Sequence, residues 1–192
     1  MTNGYIHRIS NLIVTFCYYM NLVEGFKWLL GKLTKDKKRA YKNFAIDTFI
    51  LLKWIFIGLI WFLKAQSLSL TIIVSYLIWT NLFTYFYYHV WTSNKIEETE
   101  RNQRRFINLI LAFAYSNVSF AYLYSLPFNS SFSITTGFDG HFSFLLFSSY
   151  NSLFSDYNFI TVADLTGSII TVLQLTITFI FASIILSKSI PE

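Results

Sequence analysis

The chain has 192 residues, of which 54% are hydrophobic, 20% aromatic and 13% charged, with a formal net charge of +5. Such a chain would expose too much apolar surface to stay soluble as a monomer, and 7 glycines and 2 prolines exclude disordered and collagen-like classes. Its one cysteine, Cys17, closes no intramolecular disulfide and builds no zinc site by itself, so it reads as a small buried apolar residue.

At the amino terminus, His7 and Arg8 precede an apolar run from Leu12 to Met20. No small-x-small site follows it before the basic stretch, so no cleavable signal is expected. Ile6, Ile9, Ile13, Phe16, Met20 and Val23 recur at alternating spacings of three and four, which predicts one helix over residues 5–30. Leu12, Val14, Tyr18, Tyr19 and Leu22 spread its apolar surface over more than one face. The reading is an amphipathic helix in or near the cytoplasmic interface, or packed under the bundle. A self-associating coiled coil and a partial fifth span are the alternatives, with Tyr5, His7, Arg8, Asn11, Asn21 and Glu24 weighing against a full span. The run KLTKDKKRAYK completes this 1–43 segment. Its Lys35, Lys37, Lys38, Arg39 and Lys42 set topology and attract anionic lipid, at about 1 kcal/mol per basic residue near the surface. Contact with an acidic cytoplasmic partner is the alternative. No base-reading motif accompanies the run, so direct nucleic-acid binding is not expected.

A bilayer core of about 30 Å needs about 20 mostly apolar helical residues. Four segments qualify: 44–63, 68–91, 106–126 (ended by Pro127) and 167–186. The first three fill residues 44–127, an outer segment occupies 128–166, and the fourth span with its tail occupies 167–192. Basic residues crowd 1–43 and the 92–105 loop, where Lys95, Arg101, Arg104 and Arg105 lie, whereas 128–166 has no Lys or Arg. The positive-inside rule therefore puts both termini and the 92–105 loop in the cytoplasm, and the inner membrane of a bacterium is the expected location.

Asp47 and Lys53 fall in the first span. Asp47 is expected at the interface. Lys53 is expected to snorkel inward, with a pair to Asp47 or a polar cavity as alternatives. Asn81, Thr84, Ser116, Asn117 and Ser119 in the second and third spans are read as glue between helices, with a permeation path as the lesser reading.

The outer segment opens with NSSFSITTGFDG, a loop by composition, and continues with HFSFLLFSSYNSLF, which is apolar but too short to cross. A short apolar segment between two spans is a re-entrant candidate, and Asp139 near its start suits the positive end of a helix.

The order span, outer loop, short helix, filter, span resembles the pore domain of the tetrameric potassium-channel superfamily. Leu145, Phe147 and Ser148 sit at the spacing of that family's L-Y-F-S block, Tyr157 at the filter tyrosine, Ile160 and Thr161 at its I-T, and Gly167 at the glycine opening the last helix. IITVLQ, Ile169 to Gln174, resembles the family's inner helix. The departures lie in the filter, where Phe154 and Ser155 replace threonine and valine, Asp156 and Asn158 replace both glycines, and Phe159 replaces the acid. A potassium filter needs consecutive carbonyls aimed at the ion, with backbone angles that glycine permits. The resemblance therefore implies a homotetramer with an altered or plugged outer mouth. Ser155, Asp156, Tyr157 and Asn158 would line its ion path, and Asp139, Asp156 and Asp164 would draw cations to it. The alternative for these three acids is solvated loop residues.

By size and layout the chain is also similar to the membrane subunit of the bacterial Kiwa anti-phage defence system. That resemblance implies a four-span tetramer that senses envelope disturbance and works with a DNA-binding cytosolic partner. The outer segment would sense, and the basic face with Arg101, Arg104 and Arg105 would dock the partner.

His7, His89 and His141 are far apart with no carboxylate or thiol at ligand spacing, so no metal site is expected, and a proton-sensing His141 is a lesser reading. No nucleotide-binding, serine-hydrolase or zinc-protease motif is present, nor any catalytic pair on facing spans. The expectation is an all-α integral membrane protein with four transmembrane helices, an amino-terminal amphipathic helix and a re-entrant pore-like helix between the third and fourth. It carries no cofactor and no enzymatic activity. The leading function is a membrane sensor or scaffold in phage defence. An ion channel, nonselective or cation-preferring, is the alternative, and a small transporter the third, disfavoured by the missing internal repeat.

Overall fold

A computed structural model of the protein describes residues 4–33, 38–91, 99–135, 140–155 and 158–189. Among these, α1 (Tyr5–Tyr19), α2 (Leu22–Leu33), α3 (Lys38–Phe62) and α4 (Leu68–Phe86) come first, and a π-helical turn, Tyr87–Trp91, continues α4. Next come α5 (Thr99–Ser125), a 3-10 turn, Asn129–Ser131, β1 (Phe132–Ile134), α6 (His141–Ser152), β2 (Ile160–Val162) and α7 (Leu165–Ser189). Four helices are long and apolar enough to cross a membrane, over Phe44–Phe62, Leu68–Phe86, Phe106–Ser125 and Leu165–Leu186. These agree with the expected spans to within a few residues.

The helix ends follow from local chemistry. Ser67 caps α4, its Oγ accepting from the Leu70 N–H at 3.2 Å. α3 ends in a Schellman turn: Lys64 takes the left-handed conformation (φ 50°), its N–H reaches the Trp61 carbonyl at 3.1 Å, and the Ala65 N–H reaches Ile60 at 2.8 Å. α5 stops at Ser125, two residues before Pro127, because the residue preceding a proline is pushed out of helical geometry.

The amino-terminal segment differs from expectation. It is two helices, broken at Met20–Asn21, and not one. The Asn21 side chain accepts from the Val23 N–H at 3.0 Å, and its carbonyl accepts from Glu24 at 3.1 Å and Gly25 at 3.2 Å. Asn21 is therefore the N-cap of α2. The apolar spacing runs through the break in register, so periodicity alone does not reveal it.

α5 is the central helix: half of its apolar window is buried inside the protein, against 22% for α3. The Tyr122 hydroxyl on α5 donates to the Ala65 carbonyl at 2.9 Å, holding the α3–α4 turn. β1 and β2 pair antiparallel, Phe132 opposite Val162 and Ile134 opposite Ile160. Phe132 joins Tyr124 of α5 and Phe147 of α6 in an edge-to-face cluster with centroids 4.9 to 5.7 Å apart. The start of α7 is wedged against this cap. A Cβ on Gly167 would lie 2.6 Å from the Ser131 carbonyl oxygen, which already accepts the Ala163 N–H at 2.9 Å.

Candidate functional site

α5, α6 and α7 meet around one side chain, Gln174 of α7, which is 1% exposed. Its Oε1 accepts from the Tyr124 hydroxyl at 2.5 Å and from Asn151 Nδ2 at 2.8 Å. Its Nε2 faces Ser148 Oγ at 2.7 Å, Ser148 O and Ser152 Oγ at 2.9 Å, and Asn117 Oδ1 at 3.3 Å. An amide nitrogen carries two protons, so these four oxygens share them. Ser148 Oγ donates to the Asn117 carbonyl at 2.8 Å, and Ser152 Oγ bonds Asn117 Oδ1. Ser148, Asn151 and Ser152 lie on one face of α6 by three- and four-residue spacing. The hub is therefore a hydrogen-bonded junction that ties α6 to both neighbouring helices.

A second polar cluster sits among α3, α4 and α5. Lys53 is 6% exposed, so the expected snorkelling is corrected. Its ammonium bonds Asn81 Oδ1 and lies 4.6 Å from the centre of the Tyr115 ring. Asn81 Nδ2 donates to the Ala112 carbonyl at 2.8 Å. Among the described residues no carboxylate pairs with Lys53. The amino group is held by an amide and a π face, and Asn81 is anchored in turn to the α5 backbone.

A third cluster fastens the amino-terminal pair to α4. Glu24 pairs with Lys27 at 2.6 Å and accepts from the Tyr18 hydroxyl at 3.0 Å and from the Tyr88 hydroxyl. Lys27 lies 4.7 Å from the centre of the Tyr88 ring. Asn21 Nδ2 donates to Thr84 Oγ1 at 2.8 Å, the Tyr76 hydroxyl donates to the Met20 carbonyl, and His7 stacks on Trp91 at 6.1 Å.

The residues expected at an outer mouth are dispersed in role. Asp164 caps α7, accepting from the Gly167 N–H at 2.7 Å and from Ser131 Oγ at 2.9 Å. The Ser155 N–H closes a Schellman turn on α6, bonding Tyr150 O at 3.0 Å, with Phe154 left-handed at φ 56°. The Asn158 carbonyl accepts from Thr135 Oγ1 at 3.0 Å. Asp139, Asp156 and Tyr157 lie outside the described residues. Of the basic residues, Lys35 and Lys37 also lie outside them. Lys38, Arg39 and Lys42 fall in the first turns of α3, and Arg101, Arg104 and Arg105 in the first turns of α5, with side chains outside the description. Among the described residues no group of three His, Cys, Asp or Glu side chains is placed to hold a metal.

Sequence reasoning took Asn81, Thr84, Ser116, Asn117 and Ser119 as glue; Asn81, Thr84 and Asn117 bond groups outside their own helices, whereas among the described residues Ser116 and Ser119 make no side-chain bond to another helix. It did not single out Gln174, Tyr124, Asn151 or Ser152. The available signal was a lone glutamine in an apolar span together with a Ser-Asn-Ser face on a short helix. No family model, no curated protein and no solved structure matches the chain, so its own geometry carries the functional argument.

Proposed function

We propose that this chain is a non-enzymatic sensor or scaffold subunit of a bacterial anti-phage defence system, in the inner membrane with both termini cytoplasmic. It is built on a channel-like homotetramer and coupled to a cytosolic partner that binds DNA. The observation that carries the reading is the Gln174 hub, which links the outer segment, through α6, to the last span. Asn117 lies 8 residues before Ser125 and Gln174 9 residues after Leu165, so the hub is ~12–14 Å inside the spans at 1.5 Å per residue. That depth supports α6 as a re-entrant helix rather than a surface one. Its backbone is satisfied there by its own helix and its polar face by protein, as hydrocarbon requires. A disturbance of the outer cap would reach α7 through this junction, and the basic first turns of α3 and α5 would present the cytoplasmic face to the partner.

The test is phage challenge of cells carrying the chain with its genomic neighbours, wild type against Gln174→Leu, with membrane levels matched. Protection lost in the variant supports coupling through the hub. A complete absence of protection by the wild type, with any neighbouring gene, sinks the defence reading.

The pore reading has one observation in its favour: α6 ends at the hub, so its carbonyl end, which bears partial negative charge, lies at membrane depth. Lys53 opposes a cation route through the interior of one subunit, so a pore would run between copies along α7. Ion flux into liposomes holding the protein alone, changed by Asp156→Asn, would favour this reading over the first.

A further inference from the structure

α1 and α2 are two short helices that leave a wide apolar arc uncovered. Along α1, Ile9, Leu12, Phe16 and Tyr19 share one side and are exposed, Leu12 to 72% and Tyr19 to 81%. The opposite side, with Val14 buried, faces the protein. In water, such an arc would be an association hazard.

The attachments of α1 give its level relative to α4. His7, near its start, stacks on Trp91, beyond the end of the α4 span. Tyr18 meets Tyr87 at 4.8 Å. Met20, after its end, receives the Tyr76 hydroxyl, and Asn21 bonds Thr84. Thr84 and Tyr76 lie 2 and 10 residues inside Phe86, that is ~3 and ~15 Å at 1.5 Å per residue. The Met20–Asn21 turn is held between those levels, within the span of α4. α2 then runs back past Tyr88, which bonds Glu24 and Lys27.

Residue chemistry follows the same gradient. His7, Arg8 and Asn11 lie toward the Trp91 end, whereas 12–20 reads LIVTFCYYM, without a charge. The two charges of the hairpin near the span, Glu24 and Lys27, neutralise each other at 2.6 Å. The end that reaches depth is the apolar one, and the charges beside it are paired.

We infer that α1 and α2 form a helical hairpin that dips into one leaflet beside α4, with the Ile9–Leu12–Phe16–Tyr19 arc in contact with lipid acyl chains. On the orientation proposed above the leaflet is the cytoplasmic one. The inference rests on α4 as a span and on no part of the defence or channel readings. The lipid contact is what fits an arc that is apolar, uncovered by the described residues and running from the level of Trp91 down to the Met20–Asn21 turn inside the span of α4, across the boundary of the acyl chains.

Spin labels test it, placed one at a time at Arg8, Leu12, Phe16 and Tyr19 in a Cys17→Ser background, in the full chain reconstituted in bilayers. Labels at Leu12, Phe16 and Tyr19 are expected to be more accessible to oxygen than to a water-soluble nickel complex, with the ratio reversed at Arg8. Nickel access along the whole of α1 would overturn the inference by placing the hairpin in water. Low access to both quenchers would overturn it in favour of a second copy covering the arc. The unmodified chain supplies a control independent of these substitutions. Cys17 should resist a membrane-impermeant maleimide in sealed vesicles of either orientation and react once detergent dissolves them. Reaction in intact vesicles would count against insertion.

Discussion

Replacing Gln174 by leucine removes the acceptor of the buried Tyr124 hydroxyl, one of two acceptors of the half-buried Asn151 Nδ2, which keeps the Thr171 carbonyl at 3.4 Å, and the donor to the α6 oxygens. Each orphaned buried donor costs about 1–3 kcal/mol. Ser148 and Ser152 keep their bonds to Asn117, so the α6 oxygens are not stranded. Interhelical hydrogen bonds within membranes average nearer 0.6 kcal/mol, because the separated helices find other partners. Weighing both, the loss should be about 1–3 kcal/mol. Tyr124→Phe removes only one donor and leaves Oε1 to Asn151, so about 1 kcal/mol is expected. The assay is reversible unfolding in mixed micelles, applied to both single variants and the double. Because the residues share one bond, the double should lose less than the sum of the singles by roughly 1 kcal/mol. A Gln174→Leu protein as stable as wild type, with strictly additive effects, would refute the idea that the hub holds α6 between its neighbours.

Other outcomes follow from the same geometry. Asn81→Leu strips the buried Lys53 of its oxygen acceptor and should cost about 1–3 kcal/mol, whereas adding Lys53→Met to it should restore near-wild-type unfolding; a double variant no more stable than Asn81→Leu would show that the loss does not come from the stranded amino group. Gly167→Ala drives a Cβ toward the pinned Ser131 carbonyl and should cost about 1–3 kcal/mol by overpacking, read as earlier thermal unfolding with the β1–β2 cap loosened in hydrogen exchange. Phe154→Gly relieves a left-handed phenylalanine worth about 1–2 kcal/mol, partly offset by the greater freedom of glycine in the unfolded chain. With its ring 64% exposed, a net gain near 1 kcal/mol is expected in the isolated subunit, and a loss confined to the assembled protein would show that the ring is an intersubunit contact.

The four spans were legible in the sequence because hydrocarbon thickness imposes a length and a polarity that a linear reading measures directly. The end of α5 was legible for a similar reason, since Pro127 acts on its immediate neighbour. The break at Asn21 was not, because an asparagine that caps a helix and one that rides on its polar face leave the same apolar spacing around them. Lys53 looked like a snorkelling residue while its partners were unknown; only the approach of Asn81 and Tyr115 on two other helices decided that burial costs less than escape. Asp164 was grouped with other outer acids by charge, and its occupation as a cap depended on Gly167 and Ser131 meeting it. Gln174 drew no notice within an apolar stretch, since a hub consists of its neighbours, 22 to 57 residues away along the chain. Properties set by the solvent or by the next few residues are written locally in the sequence, whereas the fate of a buried polar group is decided by which distant groups the fold brings within 3 Å of it.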